Sequence, residues 1–269
     1  MLDRITVLHF SPTGGTRRAA LLLARHIAAK VEEIDLCRPE MQAHTFGEGD
    51  VVLVAGPVYG GRLPALMAER LRACRGGGAR AVSAAVYGGR AYEDALVELD
   101  DLLGGQGFRV IASAALLAEH SIVRALAAGR PDAQDEAQLA EFGARIAAKL
   151  EQGDMDAPHT PGNRPYKEWA GMPTAPQAAE ACNACGKCAQ ECPAGAISPA
   201  HPAETDAARC ITCMRCVTVC PQKARALPAP VLQMLSQKLA PFMEKRQENE
   251  LYMIMNSRKY AVENGHLNL

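Results

Sequence analysis

The chain has 269 residues with a formal net charge of −1 and ten cysteines. That near-neutral balance, with Lys and Arg scattered rather than gathered in a stripe, excludes a nucleic-acid binder that works through a basic face. No apolar stretch reaches the roughly 18 to 20 uninterrupted residues of a membrane span, and the N-terminus lacks the long apolar region of a signal peptide, so a cytoplasmic protein is expected.

Short apolar or β-branched runs at 4–10, 31–36, 50–55, 79–86 and 108–114 have the length of strands. Segments 16–30, 63–75, 91–103 and 134–151 carry apolar residues at helical spacing, as at Leu96, Leu99 and Leu103. Strands alternating with helices predict an α/β domain over residues 1–152, with a doubly wound, five-stranded parallel sheet. Ligands in such a sheet sit beyond the carboxyl ends of the strands, which directs attention to the loops after strands one, three and four.

The first of these loops lies in HFSPTGGTRRAA. It is neither a Walker loop nor the dinucleotide fingerprint. Ser11, Thr13 and Thr16 offer hydroxyls, Gly14 and Gly15 permit a tight turn, and the helix that follows aims its free N–H groups at an anion. A plain helix cap provided by Thr16 is the alternative. The loop after strand three is GPVYGGRLP, with Pro57, Val58, Tyr59, Gly60 and Gly61; the loop after strand four is YGGRAYEDAL, with Tyr87, Gly88, Gly89, Arg90 and Tyr92. Each pairs glycines with tyrosine, as a loop would to bring backbone against the edge of a flat ring and an aromatic over its face.

Residues 1 to about 150 resemble flavodoxin, whose first loop has a similar hydroxyl- and glycine-rich character and binds the phosphate of FMN. Carried over by position, the resemblance implies that Ser11, Thr13, Gly14, Gly15 and Thr16 hold the phosphate. Tyr59 and Tyr92 are then the stacking candidates, with Tyr87 behind them. Arg62 and Arg90 stand where short-chain flavodoxins carry acidic residues, which predicts a positive field near the ring. His120, after strand five, reads as a solvated loop histidine, with contact to substrate as the alternative.

Residues 153–177 carry five prolines and form a linker, though Tyr166 and Trp169 predict that it lies against a surface. Beyond it, CNACGKCAQECP (182–193) and CITCMRCVTVCP (210–221) repeat one pattern. Three cysteines at consecutive two-residue gaps, with a fourth before proline, suit the corners of an iron–sulfur cube better than one zinc tetrahedron. In such a run the fourth cysteine ligates the other cluster. Cys182, Cys185, Cys188 and Cys220 are therefore assigned to one [4Fe-4S] cluster, and Cys210, Cys213, Cys216 and Cys192 to a second. Zinc is the alternative. Cys37 and Cys74, outside the repeat, read as plain thiols that behave as small hydrophobes.

Residues 178–227 resemble the two-cluster bacterial ferredoxins, including Pro193, Pro221 and the small residues 194–196. Residues 228–269 are expected to be a helical extension, with Leu232, Leu235, Leu239 and Phe242 on one stripe that docks on the chain itself or, failing that, on a partner or a second copy in a homodimer. The whole resembles the flavodoxin-ferredoxin fusion proteins of anaerobic bacteria. That resemblance implies electron transfer between two [4Fe-4S] clusters and one FMN, with a redox partner protein or a small acceptor outside; a ferredoxin-type carrier with an empty docking domain is the alternative.

Overall fold

The computed structural model describes residues 1–254. The first strand, β1 (Leu2–His9), leads through a tight loop into α1 (Gly15–Ala24), and the chain returns in β2 (Ala28–Asp35). Then follow β3 (Val51–Pro57), α2 (Ala65–Leu71), β4 (Arg80–Tyr87), α3 (Ala95–Gly105), β5 (Arg109–Leu117) and α4 (Ala133–Glu151). All three helices α1, α2 and α3 are placed differently from the sequence expectation. The run at 16–30 stops at Ala24 because Ala28 is already in register with Leu2 in the sheet. Pro64 sets the start of α2, and Glu93, at φ 44°, holds the chain out of helix until Ala95.

The strand order is β2-β1-β3-β4-β5, all parallel, the doubly wound order of the flavodoxin-like fold. Alternation along the strands divides the core between two faces. Ile5, Val7 and Leu53 pack with Leu139 and Ile146 beneath α1 and α4, while Leu8, Val52 and Val54 pack with Met67, Leu71 and Leu99 beneath α2 and α3. Both faces are thus covered, and the carboxyl ends of β1 and β3 are left as the crevice where the winding reverses.

The expected five-stranded sheet has a sixth member. After α7 (Ala229–Leu239, below), β8 (Glu250–Tyr252) adds antiparallel to the edge of β5. Its period of two is regular: Leu251 and Met253 join one core face and Tyr252 the other. Asn249 fixes its approach, accepting the Leu117 N–H at 2.8 Å and donating to Asp135 and Gln138. The C-terminal extension is therefore helical only in its first part, and residues 255–269 of that expectation lie outside the described residues.

The linker is strapped to α3. Thr160 donates to the half-buried Asp100, Asn163 and Lys167 N–H groups donate to Asp94 at 2.8 and 2.7 Å, and Arg164 pairs with Asp101. From there the chain enters a small unit in which β6 (Gln177–Ala178) pairs antiparallel with β7 (Arg225–Ala226), and the short helices α5 (Lys187–Gln190) and α6 (Arg215–Thr218) follow the two cysteine runs. Helix α7 then lays Leu235, Leu239 and the following Phe242 on Ile122, Val123 and Leu126 of the loop after β5, while Leu232 stays exposed. Among the described residues no helix is long and apolar enough to cross a membrane.

Candidate functional site

The two cysteine runs fold as copies of one another. Ala184 and Thr212, Gly186 and Met214, and Gly195 and Lys223 occupy equivalent positions, and every one has positive φ, between 50° and 75°. A backbone held in this region at matched sites aims its N–H groups inward. The Ala196 N–H donates to Cys192 Sγ and the Ala224 N–H to Cys220 Sγ, each at 3.3 Å; Thr212 N–H does the same for Cys210 at 3.4 Å.

Two small cavities result. Cys182, Cys185, Cys188 and Cys220 line one, and Cys192, Cys210, Cys213 and Cys216 line the other. The fourth cysteine of each run is thus delivered to the other run's cavity. The first quartet reaches the surface at Cys185, which is exposed; in the second, Cys192, Cys213 and Cys216 are all buried. Burial pushes the Cys213 thiol up to about 12 and the Cys216 thiol up to about 11, so these sulfurs need a cation beside them to exist as thiolates. All eight side chains are free of disulfides, and a thiolate quartet with inward N–H donors is the donor set an iron–sulfur cube takes.

The iron–sulfur unit is docked on the switch-point end of the sheet. Arg70 Nη2 donates to the Pro193 carbonyl at 2.7 Å, and Arg215 Nη1 to the Pro12 carbonyl at 3.1 Å while its other arm holds Glu191. Between the two bodies lie two cavities that share His120 and Ser121 in their walls. One, of about 610 Å3, is lined by Thr13, Gly14 and Gly15; the other, of about 250 Å3, is lined by Val58, Tyr59, Gly60, Arg90 and Trp169. The larger falls within the range of about 300 to 1,000 Å3 usual for cofactor sites.

The first loop is divided in its roles. Gly14, at φ 91°, is the N-cap of α1, with open space where a Cβ would stand. The capping hydroxyl belongs to Ser11, which accepts the Arg17 N–H at 2.9 Å and donates its own N–H to Cys37 Sγ. Thr16 is not the cap. Ser11 and Thr16 are buried away from the cavity, so of the five expected phosphate residues Thr13, Gly14 and Gly15 face it.

At the ring end several expectations change. Tyr59 lines the cavity, with burial and the nearby Cys213 holding its hydroxyl above the usual range. Tyr92 and Tyr87 do not. Tyr92 donates to Glu250 and shares a hydrogen bond with Tyr252, and Tyr87 packs edge-on against it, 5.4 Å between centroids. The arrival of β8 draws both rings to the sheet edge and away from stacking. Gly60 and Gly88 do provide close approach, but to side chains of this chain: a Cβ on Gly60 would lie 2.3 Å from the Trp169 ring, and one on Gly88 2.6 Å from His120. Gly61 likewise makes room for Glu93, and Gly89 packs by Leu126 and Ala127. Pro57 ends β3, outside both cavities.

Charge is also rearranged. Arg62 is turned to a bidentate pair with Glu98 and lies over Tyr166, 4.9 Å from the ring centre, so it adds no free charge to the cavity. Arg90 remains in the wall, paired with Glu93 at 3.0 Å. His120 is not a solvated histidine. Burial, with Arg90 nearby, pushes it down to about 4, and its Nδ1 accepts N–H bonds from Ile122 and Val123. It is therefore neutral at pH 7 with its proton on Nε2. Trp169 was expected only to lie against a surface, and its place in the cavity wall had no other signal than an aromatic in a proline-rich spacer; Arg18, Met214 and Lys223, in the wall of the larger cavity, carried no sequence signal for it.

Residues 181–225 match the family described as the 4Fe-4S dicluster domain, and the chain carries that domain. No curated protein matches the chain. Solved structures similar to its α/β half include the rubredoxin oxygen:oxidoreductase of the anaerobe Desulfovibrio gigas (16% identity, 55% of this chain and 36% of that one, TM-score 0.38). A flavodoxin of Streptococcus pneumoniae TIGR4 is 20% identical over 55% of this chain and 99% of its own, with TM-score 0.40. An FMN-dependent NADH-azoreductase of Bacillus anthracis, in complex with FMN, is 11% identical over 55% and 99%, with TM-score 0.35. The chain spans about a third of the Desulfovibrio protein's length.

Proposed function

We propose that the chain is an electron-transfer flavo-iron-sulfur protein that passes electrons between two [4Fe-4S] clusters and one FMN, and through them to or from a partner protein or small acceptor. Residues 1–152 would form the flavin domain, 153–177 the strap and 178–227 the two-cluster domain. The observation that carries the reading is the exchange of cysteines between two quartets, beside a cavity at the sheet's switch point. Clusters exchange single electrons, whereas a flavin can hold one or two, so their union converts between the two kinds of chemistry.

The chain's own contributions are positional. Thr13, Gly14 and Gly15 would seat the phosphate; Tyr59 and Trp169 flank the ring end; His120, neutral with its proton on Nε2, offers a hydrogen-bond donor in the wall shared by the two cavities. Arg70 and Arg215 hold the buried quartet against this end of the sheet. A second reading, a ferredoxin-type carrier whose α/β half binds no flavin, is favoured by one observation: Trp169 and His120 already occupy the spaces opened by Gly60 and Gly88.

Anaerobic purification followed by iron, sulfide, zinc and flavin assays on one sample separates these. About eight iron per chain with one FMN supports the proposal, about eight iron and no affinity for FMN supports the carrier, and zinc in place of iron overturns both.

A further inference from the structure

The larger cavity has a second wall, and that wall belongs to the iron–sulfur half. Opposite Thr13, Gly14 and Gly15 stand Met214, Thr218 and Lys223 of the second cysteine run. The two runs match in ligand spacing and backbone, yet at two of the three matched positions that need a left-handed backbone the second run has lost a glycine that the first keeps. The first run has Gly186 and Gly195 there, at φ 75° and 58°; the second has Met214 and Lys223, at 64° and 50°. Glycine adopts that conformation freely and a residue with a side chain does so at a cost. Met214 and Lys223, the two that replace glycine, both line the cavity under the first loop.

The cations around this cavity are not equivalent. Arg124 is paired with Glu119 and Arg130 with the buried Asp135. Lys223, and Arg18 on α1, line the cavity without a side-chain hydrogen bond or ion pair to any described residue. Arg225, only 3% exposed, is in the same wall, with an Nε that has no partner among the described residues. An open glycine turn, a helix N-terminus and two cations that make no hydrogen bond or ion pair to a described residue therefore converge on one volume, while the carboxylate in its wall, Glu119, is neutralised chiefly by the Gly129 N–H and Arg124, with Arg18 adding only at a distance.

We infer that this is a composite phosphate site, in which Lys223 of the iron–sulfur half and Arg18 of the α/β half together supply the counter-charge for the phosphate monoester of the flavin. The inference rests on the FMN reading above and goes past it in assigning part of the nucleotide site to the other domain. A ligand held this way ties the two halves together, and its affinity depends on their being docked.

The test is anaerobic titration of the full-length, cluster-loaded protein with FMN and with riboflavin, followed by flavin fluorescence, for the wild type, Lys223→Gln and Arg18→Gln. The wild type should prefer FMN over riboflavin, and each substitution should cut that preference by about tenfold, with riboflavin affinity unmoved. The preference should also fall as salt is raised. Iron content checks that Lys223→Gln keeps its clusters; Arg18 lies outside the cysteine runs, so Arg18→Gln decides the matter if iron is lost. Normal FMN binding with an unchanged preference in both variants overturns the composite site and leaves the flavin reading standing. No FMN binding by the wild type overturns both.

Discussion

The two cysteine runs have the same spacing and the same backbone, and opposite surroundings. The first opens to solvent at Cys185 and carries glycine at two of its three left-handed positions; the second has Cys213 and Cys216 buried, and Met214 and Lys223 where those glycines would be unstrained. Ligand spacing thus determines what a run can bind, whereas the residues between the ligands determine what it faces. Local geometry is repeated, and function is divided by what docks on each copy.

Removing a ligand tests the shared part of that comparison and should give the largest effect. Cys185→Ala and Cys213→Ala should each lower iron from about eight to about four per chain, read by chemical analysis of anaerobic protein; loss of all iron in both would mean that the quartets are not separate. The divergent part is tested by Met214→Ala, which removes a buried side chain and should cost about 2 to 5 kcal/mol. Its counterpart Gly186→Ala meets no atom within 4 Å and should cost only the left-handed backbone term, about 1 to 2 kcal/mol, by denaturant unfolding. Equal losses would contradict the asymmetry.

Arg215 and Lys187 both reach Glu191, but only Arg215 continues to the Pro12 carbonyl. Arg215→Ala should cost about 1.5 to 3 kcal/mol and loosen the docked halves, measured as faster proteolysis between them; Lys187→Ala, at an exposed pair, should stay within about 0.5 kcal/mol. The smallest effect belongs to the strap. Hydrogen bonding by Arg164 holds Asp101 below its ordinary range; burial opposes but does not overcome the bonds that do the same for Glu93 and Asp94. These depressed carboxyls stabilise the strap above the unfolded value of about 4, and the contribution is lost as pH falls through the folded values. Trp169, the single tryptophan, should therefore shift its emission to the red below about pH 4 and not between pH 5 and 7.

What could be read from the sequence was what is local. Cysteine spacing, strand alternation in β1 and β3, and the stripe of Leu235 and Leu239 each report a contact set within a few residues. The misplaced expectations share a different cause. Tyr92 fits a ring-stacking loop until β8 arrives from 158 residues away to bond its hydroxyl. Gly60 and Gly88 signal close approach without saying to what, and the answers, Trp169 and His120, come from a distant strap and another loop. β8 itself is three residues long and lies in ELYMIM, a run with no polar–apolar alternation to mark it as a strand with two different faces.

Crystals of the anaerobic protein, with anomalous data collected on both sides of the iron absorption edge, examine the interleaving of the cysteines most directly. The account predicts two separate iron peaks, one enclosed by Cys182, Cys185, Cys188 and Cys220 and the other by Cys192, Cys210, Cys213 and Cys216. A single peak, a peak at the zinc edge, or four consecutive cysteines of one run around one centre would contradict it.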